Sequence, residues 1–153
     1  MSDAGGDAPS ADVVRVAAFA DLDARTAYRL WALRVDVFVV EQCCAYRELD
    51  GRDLEAETRH VWAEVDGAPV AYLRLLGEPD GSRRIGRVCV AASARGRGWA
   101  GVLMERALHE VGRRRCVLDA QSHLADWYAR WGFSVTGPEF LDDGIPHVPM
   151  ARR

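Results

Sequence analysis

The sequence predicts a single α/β domain, a mixed and mostly antiparallel central sheet flanked by helices in the order β-α-βββ-α-β-α-ββ. Three observations carry that expectation. Short apolar runs joined by tight turns, the Asp66-Gly67 dipeptide foremost, predict consecutive antiparallel strands. Amphipathic stretches near residues 21–38 and 98–111 place helices before and after those strands. The chain has 153 residues, about one domain, and shows neither an internal repeat nor an interdomain linker.

The elements follow in order. Residues 1–10 are acidic and small and predict a flexible N-terminal tail, which leaves 11–153 as the domain. Val13 to Phe19 alternates as a first strand. From Asp21, the residues Ala27, Leu30, Trp31, Val37 and Phe38 fall near one helical face. Gln42 to Glu57 loses periodicity and gains acids, which predicts a loop or broken helix with a solvated face. The strands His60–Val65, Val70–Leu76 and Arg84–Val90 are separated by Asp66-Gly67 and by Glu78 to Ser82. A helix from about Gly98 to Val111 turns Leu103, Met104, Ala107 and Leu108 inward and stops at Gly112, where Arg113 to Arg115 complement its C-terminal end. Cys116 to Ala120 is a buried strand. Ser122 is placed to cap a brief helix bearing Leu124, Trp127, Tyr128 and Trp131, which Gly132 ends. Phe133–Leu141 and Ile145–Met150, split by Asp142-Asp143-Gly144, form a closing hairpin.

Composition excludes several chemistries. All 20 basic residues are arginine. A P-loop and a Schiff-base lysine are therefore ruled out. The formal charge of −3, with arginines dispersed among 23 acids, argues against a nucleic-acid partner. No apolar run reaches the ~18 residues of a membrane span, and the N-terminus lacks the plan of a signal peptide, so the expected location is cytoplasmic. Cys43, Cys44, Cys89 and Cys116 form no metal-binding spacing, so no metal is expected. Cys89 and Cys116 fit a core, whereas the vicinal Cys43-Cys44 pair is the candidate for redox chemistry.

The most specific local feature is the strand ending Val88-Cys89-Val90, followed by Arg95-Gly96-Arg97-Gly98-Trp99-Ala100-Gly101 and a helix. Glycines let backbone N–H groups converge on an anion. The helix N-terminus adds about half a positive charge. Arg95 and Arg97 supply bidentate donors. This is an anion cradle built without lysine. It is no dinucleotide fingerprint, because its last glycines are one residue too close.

Arg95-x-x-Gly98-x-Ala100 resembles the Arg/Gln-x-x-Gly-x-Gly/Ala acyl-CoA signature of the GNAT superfamily of N-acetyltransferases. Tyr128-Ala129-Arg130-Trp131-Gly132-Phe133 is similar to that family's Tyr-x-x-x-Gly-Phe segment, and Gln121 stands where many members carry asparagine. Leu33 to Gln42, Tyr46 to Asp53, Gln121 to Leu124 and Asp143 to His147 resemble the ElaA-like subgroup, with Cys44-Ala45-Tyr46 in place of an expected Cys-Pro-Tyr.

The resemblance implies a GNAT-like fold and transfer of an acetyl group from acetyl-CoA to a primary amine, by direct attack in a ternary complex, with coenzyme A as product. The pantetheine arm would pair with the backbone of Val88, Cys89 and Val90 in a splay between this strand and Cys116–Ala120. The pyrophosphate would rest on the amides of residues 97–101, with Gln121 bonding the pantetheine amides. Tyr128 is the implied general acid. Glu41 and His147 are alternative bases, while His60 and His123 read as strand-edge and helix-cap histidines. The acceptor would be a small-molecule or peptide amine, and a homodimer fits the family. The competing reading is a catalytically silent acyl-CoA-binding or regulatory module. Trp31, Trp62 and Trp127 are expected in the core, and Trp99 is expected to be partly exposed over the cofactor.

Overall fold

The computed structural model describes residues 9–153. The expected tail lies outside the described residues except Pro9 and Ser10, and the Ser10 hydroxyl accepts from the Asp12 amide at 3.2 Å. Strand β1 is Val14–Ala17. Helix α1 is Ala24–Val35, started by the Asp23 carboxylate, which accepts from the Thr26 amide at 2.7 Å. It runs on into a π-helical turn, Asp36–Glu41, a widened turn of the kind that often marks functional sites.

Strands β2 (Arg59–Val65), β3 (Ala68–Gly77) and β4 (Arg83–Val90) make an antiparallel meander. Helix α2 is Trp99–Val111, β5 is Cys116–Gln121 and α3 is a short helix, Ala125–Ala129. The chain ends in β6 (Ser134–Val135), β7 (Phe140–Asp142) and β8 (Ile145–Arg152). The strand order is β1-β2-β3-β4-β5-β8-β6, with β7 also on β8, and among the described residues only β4–β5 is parallel.

Two departures from the sequence reading have local causes. The segment expected as one strand over Phe133–Leu141 is broken into β6 and β7, because Gly137-Pro138 intervenes and Pro138 has no N–H for a ladder. A Cβ on Gly137 would also come within 2.9 Å of Pro149. Ser122 does not cap α3; its hydroxyl donates to Glu139 at 2.8 Å, and α3 is entered through a 3-10 turn, Ser122–Leu124.

The sheet has an apolar layer on each face. On one, Val61, Leu73, Leu75 and Ile85 pack against Leu103, Met104 and Ala107 of α2, with Tyr128 and Phe133 beside them. On the other, Trp62, Tyr72 and Cys89 pack against Leu30, Leu33 and Val37. Full burial of such side chains stabilises the fold by about 1.5–3 kcal/mol each. Trp62 is buried as expected, while Trp31 and Trp127 are half-buried. No helix among the described residues is long and apolar enough to cross a membrane.

Candidate active site

Strands β4 and β5 pair only at Arg83–Cys116 and Arg84–Val117. Beyond these rungs they diverge. Residues 85–90 keep β3 on one edge and have no strand on the other. An irregularity in β4 sits at the divergence. Tyr72 faces Cys89 and Arg74 faces Gly86, so Leu73 opposes two residues, and Arg87 takes φ 52°. This is a β-bulge, which bends a strand and re-aims its backbone groups.

A cavity of about 380 Å³ opens at the divergence. Gly86 and Val88 come from β4, Asp119 and Gln121 from β5, Tyr128 from α3 and His147 from β8. Gln42, Cys44 and Tyr46 close it from the loop after α1. Gly86 leaves open floor: a Cβ built on it meets nothing within 4 Å, and its φ is not left-handed.

Tyr128 is buried, and burial alone pushes its phenol up to about 12, so the hydroxyl keeps its proton at neutral pH. His147 and Gln121 are cross-strand neighbours in the β5–β8 ladder. The His147 ring stacks at 5.9 Å on Phe140, and its Nδ1 lies 2.7 Å from the Ile145 carbonyl. A carbonyl only accepts, so Nδ1 carries the hydrogen, and the lone pair of a neutral ring is on Nε2. The structure thus brings Tyr128, His147 and Gln121 to one cavity.

Glu41 stands elsewhere. It ends the π-helical turn and pairs with Arg95 at 2.8 Å, and it is not among the residues lining the cavity. The Arg95 hydrogen bond holds its carboxyl below the usual range. Both side chains are about two-fifths exposed, and the Arg95 Nε donates to the Val90 carbonyl at 3.1 Å.

The glycine loop forms as its composition demands. Gly96 and Gly98 have φ 77° and 89°, a region that costs other residues about 1–2 kcal/mol. Arg95, Gly96, Arg97 and Gly98 are exposed at the N-terminus of α2. Trp99 corrects the expectation of a partly exposed cover: it is 2% exposed and belongs to the core beneath the loop. Ala100 follows half-buried in the first helical turn. A Cβ on Gly101 would lie 3.4 Å from the Trp131 ring, so this glycine also permits close packing of the two segments. Val88 lines the cavity, while the side chains of Cys89 and Val90 pack into the apolar layers.

The largest feature the sequence did not disclose is ionic. The acid-rich stretch expected as a solvated face instead carries Glu48 and Asp53, each 4% exposed. Arg34, fully buried on α1, donates to Glu48 at 2.7 Å and to Asp53 at 2.8 Å. Arg74 binds Asp50 at 2.7 Å and Asp53 at 3.2 Å. Arg87 pairs with Glu48 at 3.0 Å, and its guanidinium lies 5.6 Å from the Tyr46 ring centroid. The Tyr46 hydroxyl donates to Glu48. His60, expected at a strand edge, is fully buried; its Nε2 lies 3.1 Å from the Asp53 carbonyl and its Nδ1 2.6 Å from the Tyr72 hydroxyl. Burial lowers its pKa. His123 is exposed in the turn before α3.

These parts fit an elongated ligand with an anionic end. An unpaired strand edge of six residues leads from an exposed, glycine-lined helix N-terminus to a cavity with a protonated phenol and an imidazole lone pair. A model of the acetyltransferase (GNAT) domain matches residues 24–153. A UPF0039 protein of Mycobacterium tuberculosis is 57% identical over 136 residues, covering 86% of this chain and 87% of that one. Escherichia coli ElaA is 38% identical over 138 residues, covering 86% and 90%. An acyl-CoA N-acyltransferase from Pseudomonas aeruginosa superposes with a TM-score of 0.87 at 42% identity, over 92% of this chain and 99% of that one. The divergent strands, the glycine loop and these similarities lead to one conclusion: the chain belongs to the GNAT acetyltransferase family, close to ElaA, with a fold built for acyl-CoA-dependent acyl transfer.

Proposed function

We propose that this protein moves an acetyl group from acetyl-CoA to a primary amine in a ternary complex, with Tyr128 as general acid and His147 as general base. The observation that carries the reading is the shared cavity at the β4–β5 divergence, onto which both residues open. When bound, acetyl-CoA supplies an activated acyl carbon and a thiolate leaving group. The amides of residues 97–101 would hold its diphosphate, and the free edge of Val88, Cys89 and Val90 its pantetheine arm, by strand addition. Gln121 would bond the pantetheine amides. The description of the Pseudomonas relative as an N-acyltransferase supports nitrogen as the acceptor atom.

The attacking amine must be neutral. For an α-amine near pKa ~8 this costs roughly 1.4 kcal/mol at pH 7, so a modest base suffices. His147 takes that proton on Nε2, with its ring held by Ile145 and Phe140. Glu41, paired with Arg95 and kept ionised, faces the anion cradle instead, so Arg95 would have to exchange this carboxylate for phosphate. A main-chain N–H beside the bulge stabilises charge developing on the acyl oxygen. Tyr128 gives its proton to the departing sulfur.

The test is release of free thiol from acetyl-CoA on addition of a panel of small amines, aminoglycosides and peptides. Amine-dependent release is expected, weakened in Tyr128→Phe and His147→Gln and retained in Glu41→Gln. Tight coenzyme A binding with no release for any amine would leave the silent binding module as the function.

A further inference from the structure

The β4 bulge places a side-chain-bearing residue, Arg87, in a left-handed conformation at φ 52°, where glycine is the usual occupant. Such a geometry persists only where its surroundings over-determine it. Here they do. The Arg87 Nε lies 3.0 Å from Glu48 Oε2 in an ionic contact that lacks hydrogen-bond geometry, and its terminal nitrogen donates to the Glu48 carbonyl at 3.4 Å. A second carboxylate, Asp50, is 3.6 Å away, and the guanidinium packs over Tyr46. Glu48 cannot yield, because it is buried and gripped by Arg34 at 2.7 Å and by the Tyr46 hydroxyl. Arg34 is in turn held by Asp53, which Arg74 of β3 also binds.

We infer that Arg87 is a positioning residue: the ion pair with Glu48 holds the β4 bulge open, and so aims the main-chain N–H groups of Val88 and Val90 into the divergence where the acyl group would lie. The inference deepens the acyltransferase reading and rests on it. Glu48 does not itself line the cavity, so it acts only through Arg87 and the loop it anchors. One consequence separates this from a merely structural ion pair. A glycine at 87 adopts φ 52° without help and should therefore make the Glu48 contact dispensable.

The experiment compares Arg87→Ala, Arg87→Gly, Glu48→Gln and the Glu48→Gln/Arg87→Gly double variant. Each is assayed by thiol release at saturating amine, by calorimetry with coenzyme A, and by unliganded crystal structures that report φ at 87 and the Tyr72–Cys89 register. Arg87→Ala and Glu48→Gln should lose about tenfold or more in kcat, with the bulge flattened or shifted. Arg87→Gly should keep the bulge and most of kcat, and the double variant should be faster than Glu48→Gln alone. Coenzyme A affinity should fall with the bulge in Arg87→Ala and Glu48→Gln and hold within about threefold in Arg87→Gly, because the pantetheine arm would pair with the same strand edge. Equal losses in Arg87→Ala and Arg87→Gly, or a bulge unchanged in Arg87→Ala, would overturn the inference. If Glu48→Gln does not fold, the alanine–glycine comparison at 87 decides alone. If the wild type turns over no amine, the acyltransferase reading fails, and the φ and register measurements still test whether the ion pair holds the bulge.

Discussion

Two arginine-rich regions flank the same cavity and behave in opposite ways. In the loop 95–101 the guanidinium groups are exposed, the backbone is set by glycines a few residues apart, and Arg95 meets Glu41 and the Val90 carbonyl. In the network under the cavity, Arg34 and Arg74 are buried, and their carboxylate partners come from a loop 14 to 24 residues away in sequence. The loop keeps the exposed Arg97 and its main-chain N–H groups at the surface, where a ligand can reach them. The network spends its donors on the protein itself, fixing the loop that roofs the cavity and the bulge that forms its floor. The same residue type thus serves binding where solvent reaches it and architecture where solvent does not.

Removing one charge from each region should expose that difference most sharply. Arg34→Ala removes the cation shared by Glu48 and Asp53, leaving these buried carboxylates to Arg87 and Arg74 alone, and breaking buried pairs this way costs about 3–5 kcal/mol. Chemical denaturation should register that loss. Arg95→Ala, by contrast, should leave the melting temperature nearly unchanged while weakening coenzyme A binding. An Arg34 variant as stable as wild type would mean that the network is not what holds this face together. Next in size is Tyr128→Phe, which should lower kcat about 100-fold and leave coenzyme A affinity unaltered, since the phenol hydroxyl acts only on the leaving group. Steady-state kinetics paired with calorimetry separates the two quantities.

The asymmetry between the regions also explains what could be read from the sequence. Element order, both long helices and the glycine loop rest on periodicity and on residues within a few positions of each other. Tyr128 came from a six-residue motif of the same local kind. The buried network could not be found that way. Glu48, Asp50 and Asp53 resemble any solvated acidic stretch, and only the packing of α1 against β2 and β3 reveals that Arg34 and Arg74 wait beneath them. One signal was present: Arg34 lies on the same helical face as Leu30 and Leu33, where a charge needs a buried partner. Trp99 misled because its neighbours are exposed glycines, while helix geometry turns its ring down into the core.

Smaller effects should separate the loop from the cavity floor. Gly98→Ala forces a Cβ into φ 89°, at a cost of about 1–2 kcal/mol, and should weaken coenzyme A binding several-fold with little effect on the amine. Gly86→Val does the reverse. It fills open floor without backbone strain, and should raise KM for bulky amines more than for slim ones while coenzyme A affinity holds. Parallel loss of both ligands in either variant would merge the two regions into one.

The mildest expected effect is a pH dependence that belongs to the network alone. His60 is neutral in the fold: its Nε2–H donates to the Asp53 carbonyl, and Nδ1 accepts from the Tyr72 hydroxyl. Burial depresses its pKa below the unfolded value of 6.5, reinforced by the charges of Arg34 and Arg74 and only partly opposed by Asp53. With the folded pKa the lower of the two, the unfolded chain binds the extra proton. His60 therefore contributes stability in full above pH 6.5 and loses it as pH falls from there toward the folded pKa. Asp50, held well below the carboxylate range against the cost of its burial by the Arg74 hydrogen bond, loses its contribution only below about pH 3.8, so on acidification the His60 window opens first. Melting temperatures between pH 7.5 and 5 should decline in the wild type and flatten in His60→Gln, whose amide offers the same donor and acceptor without a proton to gain. The same decline in both proteins would move the acid sensitivity out of this network and onto some other group.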